Sequence, residues 1–166
     1  LPLKARHQWK DAPVPPYYPD TREVRSNIAA LYTQITLLDY KVKELLSQLR
    51  EDGLEEETIV FFYSDHGDGL PRHKRWLHDT GTRVPFIVYI PEKFRHLSPF
   101  ASGTAVPDLI SFEDLAPTML SIAGLPLPDY MKGTALFGGR YDKRDFIITI
   151  RDRVDENYLF SRGVRG

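Results

Sequence analysis

An acidic and a nitrogen-bearing side chain stand next to each other near the middle of the sequence. Asp65 and His66 directly follow an apolar run, and Gly67 and Gly69 come soon after them. Asp offers a hard anionic oxygen and neutral His offers a nitrogen, so both can bind a divalent cation. Neighbouring side chains point apart in an extended strand, but they can converge in a turn, which glycine permits. Taken alone, the pair favours an ordinary turn in which Asp65 accepts hydrogen bonds from backbone amides.

A basic run follows within a few residues of this pair. Its members are Arg72, His73, Lys74 and Arg75, and His78 and Asp79 come shortly after them. A buried tetrahedral anion needs cationic donors, and the compact ammonium of Lys74 suits one of its oxygens. Most charge runs are instead solvated loops. The order of ligands, glycines, cations and a further acid favours an anion site over a solvated loop.

Two apolar segments flank this stretch and must position it. Thr58–Ser64 and Val84–Ile90 are β-branched and aromatic on both faces, which is typical of parallel strands that are covered on both sides. In open α/β sheets, ligands gather at the carboxyl ends of the strands. Asp65 and His66 come at that end of the first strand, so we expect the site there.

A long helix is expected before the first strand, over residues 22–52. Its apolar residues recur at alternating spacings of four and three, which forms one stripe; they are Val24, Ile28, Leu31, Ile35, Leu38, Val42, Leu45 and Leu49. Asp20 or Thr21 can cap its start, and Gly53 follows its end. A coiled coil would have the same stripe, but the buried strand that follows favours a helix that packs within an α/β domain.

The remaining segments complete an α/β pattern. Residues 1–20 are loop-like because they hold four prolines between positions 13 and 19. Ser111–Gly124 is expected to hold a short helix with Asp114 as its N-cap and Gly124 at its end. Phe146–Ile150 reads as a third strand, and a fourth is expected to begin at Tyr158.

The composition places limits on the function. A chain of 166 residues with 42% hydrophobic and 27% charged residues can bury the core of one folded domain. Its net charge of -1 provides no general attraction for nucleic acid or for anionic membranes. No apolar run approaches the roughly 20 residues of a transmembrane helix. The absence of Cys excludes disulfides and thiolate metal sites.

Thr58–Pro91 resembles the sulfatase family of the alkaline phosphatase superfamily. Members of this family carry a strand ending in Ser-Asp-Asn/His-Gly, then a Lys, an acid five residues later, and Arg/His-Val-Pro before the next strand. The corresponding residues in this sequence are Ser64–Gly67, Lys74, Asp79 and Arg83–Pro85. The resemblance covers nearly the whole chain from about Pro13. Its N-terminal part looks most like the heparan N-sulfatase-like and bacterial polysaccharide sulfatases.

The resemblance implies the fold and the extent of the domain. We expect a fragment of an alkaline-phosphatase-like sandwich, with a mainly parallel central sheet flanked by helices. Residues 1–166 would form a single partial catalytic domain. Its parts would be an N-terminal loop (1–20), the long helix (22–52), the metal and sulfate segment (58–91) and the remaining strands and helix (92–166).

The resemblance also implies roles for individual residues. Asp65 and His66 would bind a divalent cation, usually Ca²⁺; His66 replaces a commoner Asn, so Mn²⁺ is an alternative. Lys74 would contact the sulfate oxygens and offset charge that develops during ester cleavage. Flanking side chains at the same pocket mouth would bind substrate, namely His73, His78 and Arg72.

The family's nucleophile is a formylglycine that is made from a Cys/Ser-x-Pro-x-Arg motif. This sequence has no Cys, and its one Ser-Pro, at Ser98, lacks the Arg. We therefore expect the motif upstream of this chain, which would be inactive by itself. His7 could stand for the family's upstream catalytic His, but its Pro-rich surroundings favour an exposed loop residue.

The resemblance implies a sulfated small molecule or glycan as substrate and a periplasmic, secreted or lysosomal location. Two alternatives stay open. One is a phosphate or phosphonate ester hydrolase of the same superfamily. The other, from a different class, is a non-catalytic binding or scaffolding domain that descends from such an enzyme.

Overall fold

The computed structural model describes residues 6–166, which divide into two compact units. The first unit comprises residues up to Glu55 together with Asp65–Val84. The second comprises Glu56–Ser64 together with Pro85–Gly166. Among the described residues, the first unit holds helices and loops, and the second holds all four strands with shorter helices. The single partial domain expected from the sequence stays a prediction. The helices and strands together agree with an α/β class.

Helix α1, Arg22–Glu51, dominates the first unit. The Thr21 side chain accepts a hydrogen bond from the Val24 amide at 3.3 Å and caps the start. The end is a Schellman motif, because the Leu54 amide donates to the Leu49 carbonyl at 3.0 Å and Gly53 has φ 71°. The predicted helix is confirmed to within one residue at its end, and Thr21 is the cap. No helix of residues 6–166 has both the length and the apolarity to cross a membrane.

The core of the first unit lies beside the first half of α1. Ala12, Ile28 and Ala29 are buried together, and partly buried side chains pack around them; these are Trp9, Val14, Tyr18, Val24, Tyr32 and Leu70. Further along the helix, Leu38 is exposed and Leu45 is 71% exposed. The stripe therefore packs as expected only in part, because Ile35 is also exposed while Val42 and Leu49 are half-buried.

Arg25 of α1 forms hydrogen bonds with the N-terminal segment at two points. The Arg25 guanidinium donates to the Ala12 carbonyl at 2.8 Å and to the Asp20 carboxylate at 2.7 Å. Apart from one 3₁₀ turn, Trp9–Asp11, residues 7–20 are irregular, in agreement with the prediction of a loop. Residues 1–5 of that predicted loop lie outside the described residues.

The segment 65–84 closes on itself next to this core. The Gly67 amide donates to the Gly81 carbonyl at 3.1 Å. Gly81 belongs to the short helix α2, Asp79–Thr82. A Cβ at Gly67 would lie 1.9 Å from the Thr80 carbonyl oxygen, closer than any two such atoms can approach. Only glycine at position 67 permits this closure.

Strand pairs form the sheets of the second unit. Strand β1, Val60–Tyr63, pairs antiparallel with β2, Phe86–Tyr89, in the register Val60↔Tyr89. Strand β3, Ile147–Val154, pairs antiparallel with β4, Asn157–Arg165. The third and fourth predicted strands are therefore confirmed and extended, and the two form a hairpin.

We predicted parallel pairing for the first strand, and this prediction is wrong for β1 and β2, which pair antiparallel. All four residues of β1 are apolar or aromatic, so the sequence shows no alternation that would mark an open face. In the structure β2 does alternate, with Ile87 and Tyr89 exposed and Phe86 and Val88 half-buried. An apolar run without alternation predicts a hydrophobic strand, but it does not determine whether that strand pairs parallel or antiparallel with its neighbour.

A buried carboxylate organises the start of α3, Leu115–Ile122. Asp114 is fully buried and accepts the amides of Ser111 and Thr134, each at 2.8 Å, and a hydrogen bond from Arg144. Ser111 caps the preceding 3₁₀ turn in a capping box with Asp114. Asp114 occupies the predicted N-cap position of α3, but its carboxylate makes no capping bond there and instead reaches back to Ser111 and across to Thr134.

We expect Asp114→Ala to lower the free energy of unfolding by about 3 kcal/mol, because it leaves Arg144 and two amides without their buried acceptor. Urea denaturation measures this change. Asp142→Ala is the matched control, since Asp142 forms only an exposed ion pair with Arg140. Equal effects of the two substitutions would contradict the organising role of Asp114.

We expect Gly67→Ala to destabilise the segment 65–84 by about 2 kcal/mol or more, because the new Cβ must displace the Thr80 backbone. Gly69→Ala is the matched control, since a Cβ there meets nothing within 4 Å. Amide hydrogen exchange over residues 65–84 measures the difference. Similar exchange rates in the two variants would contradict the close-packing argument.

Candidate functional site

Asp65 and His66 lie side by side directly after the β1 segment of the chain. Oδ2 of Asp65 is 3.5 Å from Nε2 of His66. The other ring nitrogen, Nδ1, is 2.6 Å from the carbonyl oxygen of Gly67. A carbonyl can only accept, so Nδ1 carries the proton in the neutral ring and the lone pair lies on Nε2.

This arrangement is suited to a cation. A carboxylate oxygen and an imidazole lone pair that face each other repel unless a proton or a metal ion lies between them. Two ligand atoms at this separation can share one cation at roughly 2.3 Å, a usual Ca²⁺–oxygen distance. The Gly67 carbonyl also fixes the ring orientation, as partners of metal-binding histidines commonly do.

The pair is an incomplete set of ligands. Within residues 6–166, no group of three or more His, Asp or Glu side chains is placed to hold a metal ion. Asp65 and His66 supply two donors, whereas Ca²⁺ takes about six to eight. A stable Ca²⁺ site with this pair therefore needs further oxygen donors.

Lys74 lies in a tight turn eight residues after His66, and it is exposed. Its amide donates to the Asp68 carbonyl at 3.0 Å. Arg72 and Arg75, on either side of it, both adopt the left-handed backbone conformation, with φ of 69° and 72°. That conformation is disfavoured for residues with a Cβ, so the turn must be held by its surroundings.

His73 is buried within this turn, with only 8% of its surface exposed. Its Nδ1 is 2.8 Å from the Asp68 carboxylate, and its Nε2 is 3.1 Å from the Tyr17 hydroxyl. Both ring nitrogens are therefore engaged within the protein. Substrate binding by His73 stays a prediction, and in this structure the residue acts as part of the frame around Lys74.

A second tyrosine packs on the same ring. Tyr18 stacks on His73, with ring centroids 6.1 Å apart, and its hydroxyl donates to the Pro71 carbonyl. Desolvation raises the pKa of Tyr18, and the nearby Tyr17 and Asp68 add to the increase. Tyr18 therefore stays a neutral hydrogen-bond donor at physiological pH.

Arg72 and His78 are the two exposed side chains that we predicted to bind substrate. The Arg72 guanidinium lies over the Tyr17 ring, 5.3 Å from its centroid. His78 stacks on Trp76 with nearly parallel rings, whose centroids are 5.8 Å apart. As the N-cap residue of α2, it accepts the amides of Gly81 and Thr82 through its backbone carbonyl. Their exposure is compatible with substrate binding, which stays a prediction for both.

Sequence reasoning did not identify the residues that support the turn. Tyr17 and Tyr18 lie more than fifty positions upstream of it, and Asp68 was not among the predicted site residues. The adjacent aromatic pair in a Pro-rich segment was the available signal. His7, interpreted as an exposed loop residue, is exposed but bonded to α1, because its Nε2 lies 2.9 Å from the Thr36 hydroxyl.

Comparison with known proteins places this arrangement in a family. The family model described as Sulfatase matches residues 1–125. An ulvan-active sulfatase of Formosa agariphila is 42% identical over 92% of this chain, which is 25% of that protein. The N-sulphoglucosamine sulphohydrolase of Homo sapiens is 34% identical over 78% of the chain and 24% of its own length. The iduronate 2-sulfatase of Homo sapiens is 33% identical over 68% of the chain and 25% of its own length.

These matches cover most of the present chain but a small part of each relative. The chain spans about a quarter of the length of the three curated relatives. The matched part includes Asp65, His66 and Lys74, together with the turn that frames them. The chain belongs to the sulfatase family.

Proposed function

We propose that this chain is part of the catalytic domain of a metal-dependent hydrolase that cleaves sulfate esters or sulfamates. The observation that carries the proposal is the facing pair of Asp65 and His66, followed in the same closed segment by the exposed Lys74. In the complete protein the strands would join the mainly parallel central sheet of an alkaline-phosphatase-like fold.

Lys74 acts electrostatically in this proposal. Its ammonium binds the oxygens of the sulfate group and opposes the negative charge that grows on the bridging atom as the bond to sulfur breaks. A donor that is already in place when the reaction begins requires no reorganisation at that moment. The bonded turn around Lys74 supports this role, since it fixes the backbone from which the side chain extends.

Asp65 and His66 would hold a divalent cation. Such an ion supplies charge stabilisation and orients the sulfate group when it is bound. The nitrogen of His66 is less typical of Ca²⁺ than an oxygen would be, so Ca²⁺ and Mn²⁺ are both compatible with the pair. The remaining ligands and the formylglycine nucleophile would come from other parts of the complete protein.

A sulfated glycan is the proposed class of substrate. The names of the relatives refer to ulvan, sulphoglucosamine and iduronate, all of which are sugars or contain sugars. The exposed Arg72 and His78 would bind anionic or polar groups of such a sugar beside the sulfate. In this proposal they contribute more to substrate choice than to cleavage.

We expect Lys74→Ala to lower kcat/KM by about 10²- to 10³-fold, the loss that removal of one preorganised donor causes. Sulfate release by the complete protein encoded by this gene measures the effect, with sulfated monosaccharides and 4-nitrophenyl sulfate as substrates. Lys132→Ala is the control, because that lysine is exposed and belongs to the second unit.

Three outcomes would count against the proposal. Equal activities of the two lysine variants would exclude the role of Lys74. Faster turnover of 4-nitrophenyl phosphate than of the sulfate would favour a phosphate ester hydrolase. Absence of any turnover by a protein that lacks a Cys/Ser-x-Pro-x-Arg motif would favour a non-catalytic binding domain.

We expect removal of divalent cations with EDTA to abolish activity and Ca²⁺ or Mn²⁺ to restore it. Asp65→Asn should raise the concentration of metal that gives half-maximal recovery, because it removes one anionic ligand. Metal titration of the stripped protein measures this value. The control is Asp142→Asn, an exposed acid of the second unit. Full activity after complete stripping would contradict the metal role.

A further inference from the structure

Two tyrosines from the N-terminal segment hold the turn that carries Lys74. The Tyr17 hydroxyl is 3.1 Å from Nε2 of His73. The neighbouring Tyr18 hydroxyl donates to the carbonyl of Pro71. Both bonds join residues that are more than fifty positions apart in the sequence, so they fix the turn against the core of the first unit.

In the neutral His73 ring, the hydrogen bonds of this network have one consistent direction. The Asp68 carboxylate, 2.8 Å from Nδ1, accepts the ring proton, and Nε2 then bears the lone pair and accepts from the Tyr17 hydroxyl. Asp68 also accepts the Leu70 amide at 2.8 Å through its side chain. Its carbonyl accepts the Lys74 amide at 3.0 Å. Asp68 therefore connects the tyrosine, the histidine and the lysine backbone.

The backbone of the turn requires such support. Arg72 and Arg75 adopt the left-handed conformation immediately before and after His73 and Lys74. Residues with a Cβ occupy this conformation only where neighbouring interactions impose it. The hydrogen bonds of His73 and Lys74 hold the two residues between these arginines. The bond to Pro71 holds the residue before Arg72.

We infer that Tyr17, Tyr18, His73 and Asp68 form a positioning clamp that fixes the Lys74 turn and thereby aims the Lys74 ammonium. The clamp residues act through Lys74 and do not themselves contact the sulfate. The inference rests on the proposed function for its effect on catalysis. Its effect on the turn can be measured independently of any activity.

The first test uses amide hydrogen exchange in the complete protein. Tyr17→Phe removes one hydroxyl and keeps the ring. We expect exchange of the Lys74 amide to accelerate at least about tenfold, with little change at Ile28 or Ala29 in the adjacent core. Tyr130→Phe is the matched control, because the Tyr130 side chain is 75% exposed. Unchanged exchange at Lys74, or equal acceleration throughout the core, would overturn the clamp.

The second test is a double-mutant cycle between Tyr17→Phe and Lys74→Ala. Tyr17→Phe alone should lower kcat about tenfold and change KM by no more than about twofold. This is the result expected when the contact of Lys74 with the transition state is misaligned. In the Lys74→Ala background the same substitution should cost nothing further. Losses that multiply would overturn the inference, because Tyr17 would then act independently of Lys74.

The two tests separate the inference from the proposed function. If Lys74→Ala leaves sulfate release intact, the proposed function fails, and hydrogen exchange alone then decides the clamp. If Lys74→Ala is inactive and Tyr17→Phe is normal in both tests, the clamp fails and the proposed function stands. Should Tyr17→Phe not fold, Tyr18→Phe, which removes only the hydroxyl that bonds to Pro71, replaces it with the same readouts.

Discussion

The Gly67 amide reaches the Gly81 carbonyl at 3.1 Å, and a Cβ at position 67 would overlap the Thr80 backbone. This contact closes the segment that contains the candidate site. Asp65 and His66 come just before Gly67, and Lys74 lies within the loop between Gly67 and Gly81. Asp65, His66 and Lys74 therefore lie in one closed segment, which a side chain at position 67 would open.

A carboxylate performs a similar task in each unit. Asp68 in the first unit and Asp114 in the second each accept at least one backbone amide and a hydrogen bond from a side chain, His73 or Arg144. A carboxylate has about four acceptor sites, so one residue can organise several loop segments. The four-residue α2 is the longest helix or strand of segment 65–84, and the hydrogen bonds of Asp68 hold the loop before it.

The sequence predicted the features that depend on local patterns. The periodicity of apolar residues located α1, and residue types narrowed its cap to Asp20 or Thr21. The order Asp65, His66, Lys74 indicated the family that the comparisons confirm. Features that depend on distant contacts could not be predicted in this way. Neither the antiparallel register of β1 and β2 nor the bond between Tyr17 and His73 leaves a periodic signal, because each joins residues with long stretches of chain between them.

The segment 65–84 leaves the second unit after Ser64 and returns to it at Pro85, and the Ser64 amide donates to the Pro85 carbonyl at 3.3 Å. In topological terms it is an insertion in a β-hairpin. The entropy of closing such a loop grows slowly, by about 0.6 kcal/mol for each doubling of its length. Changes in the length of this segment can therefore accumulate during evolution while the register of β1 and β2 is kept.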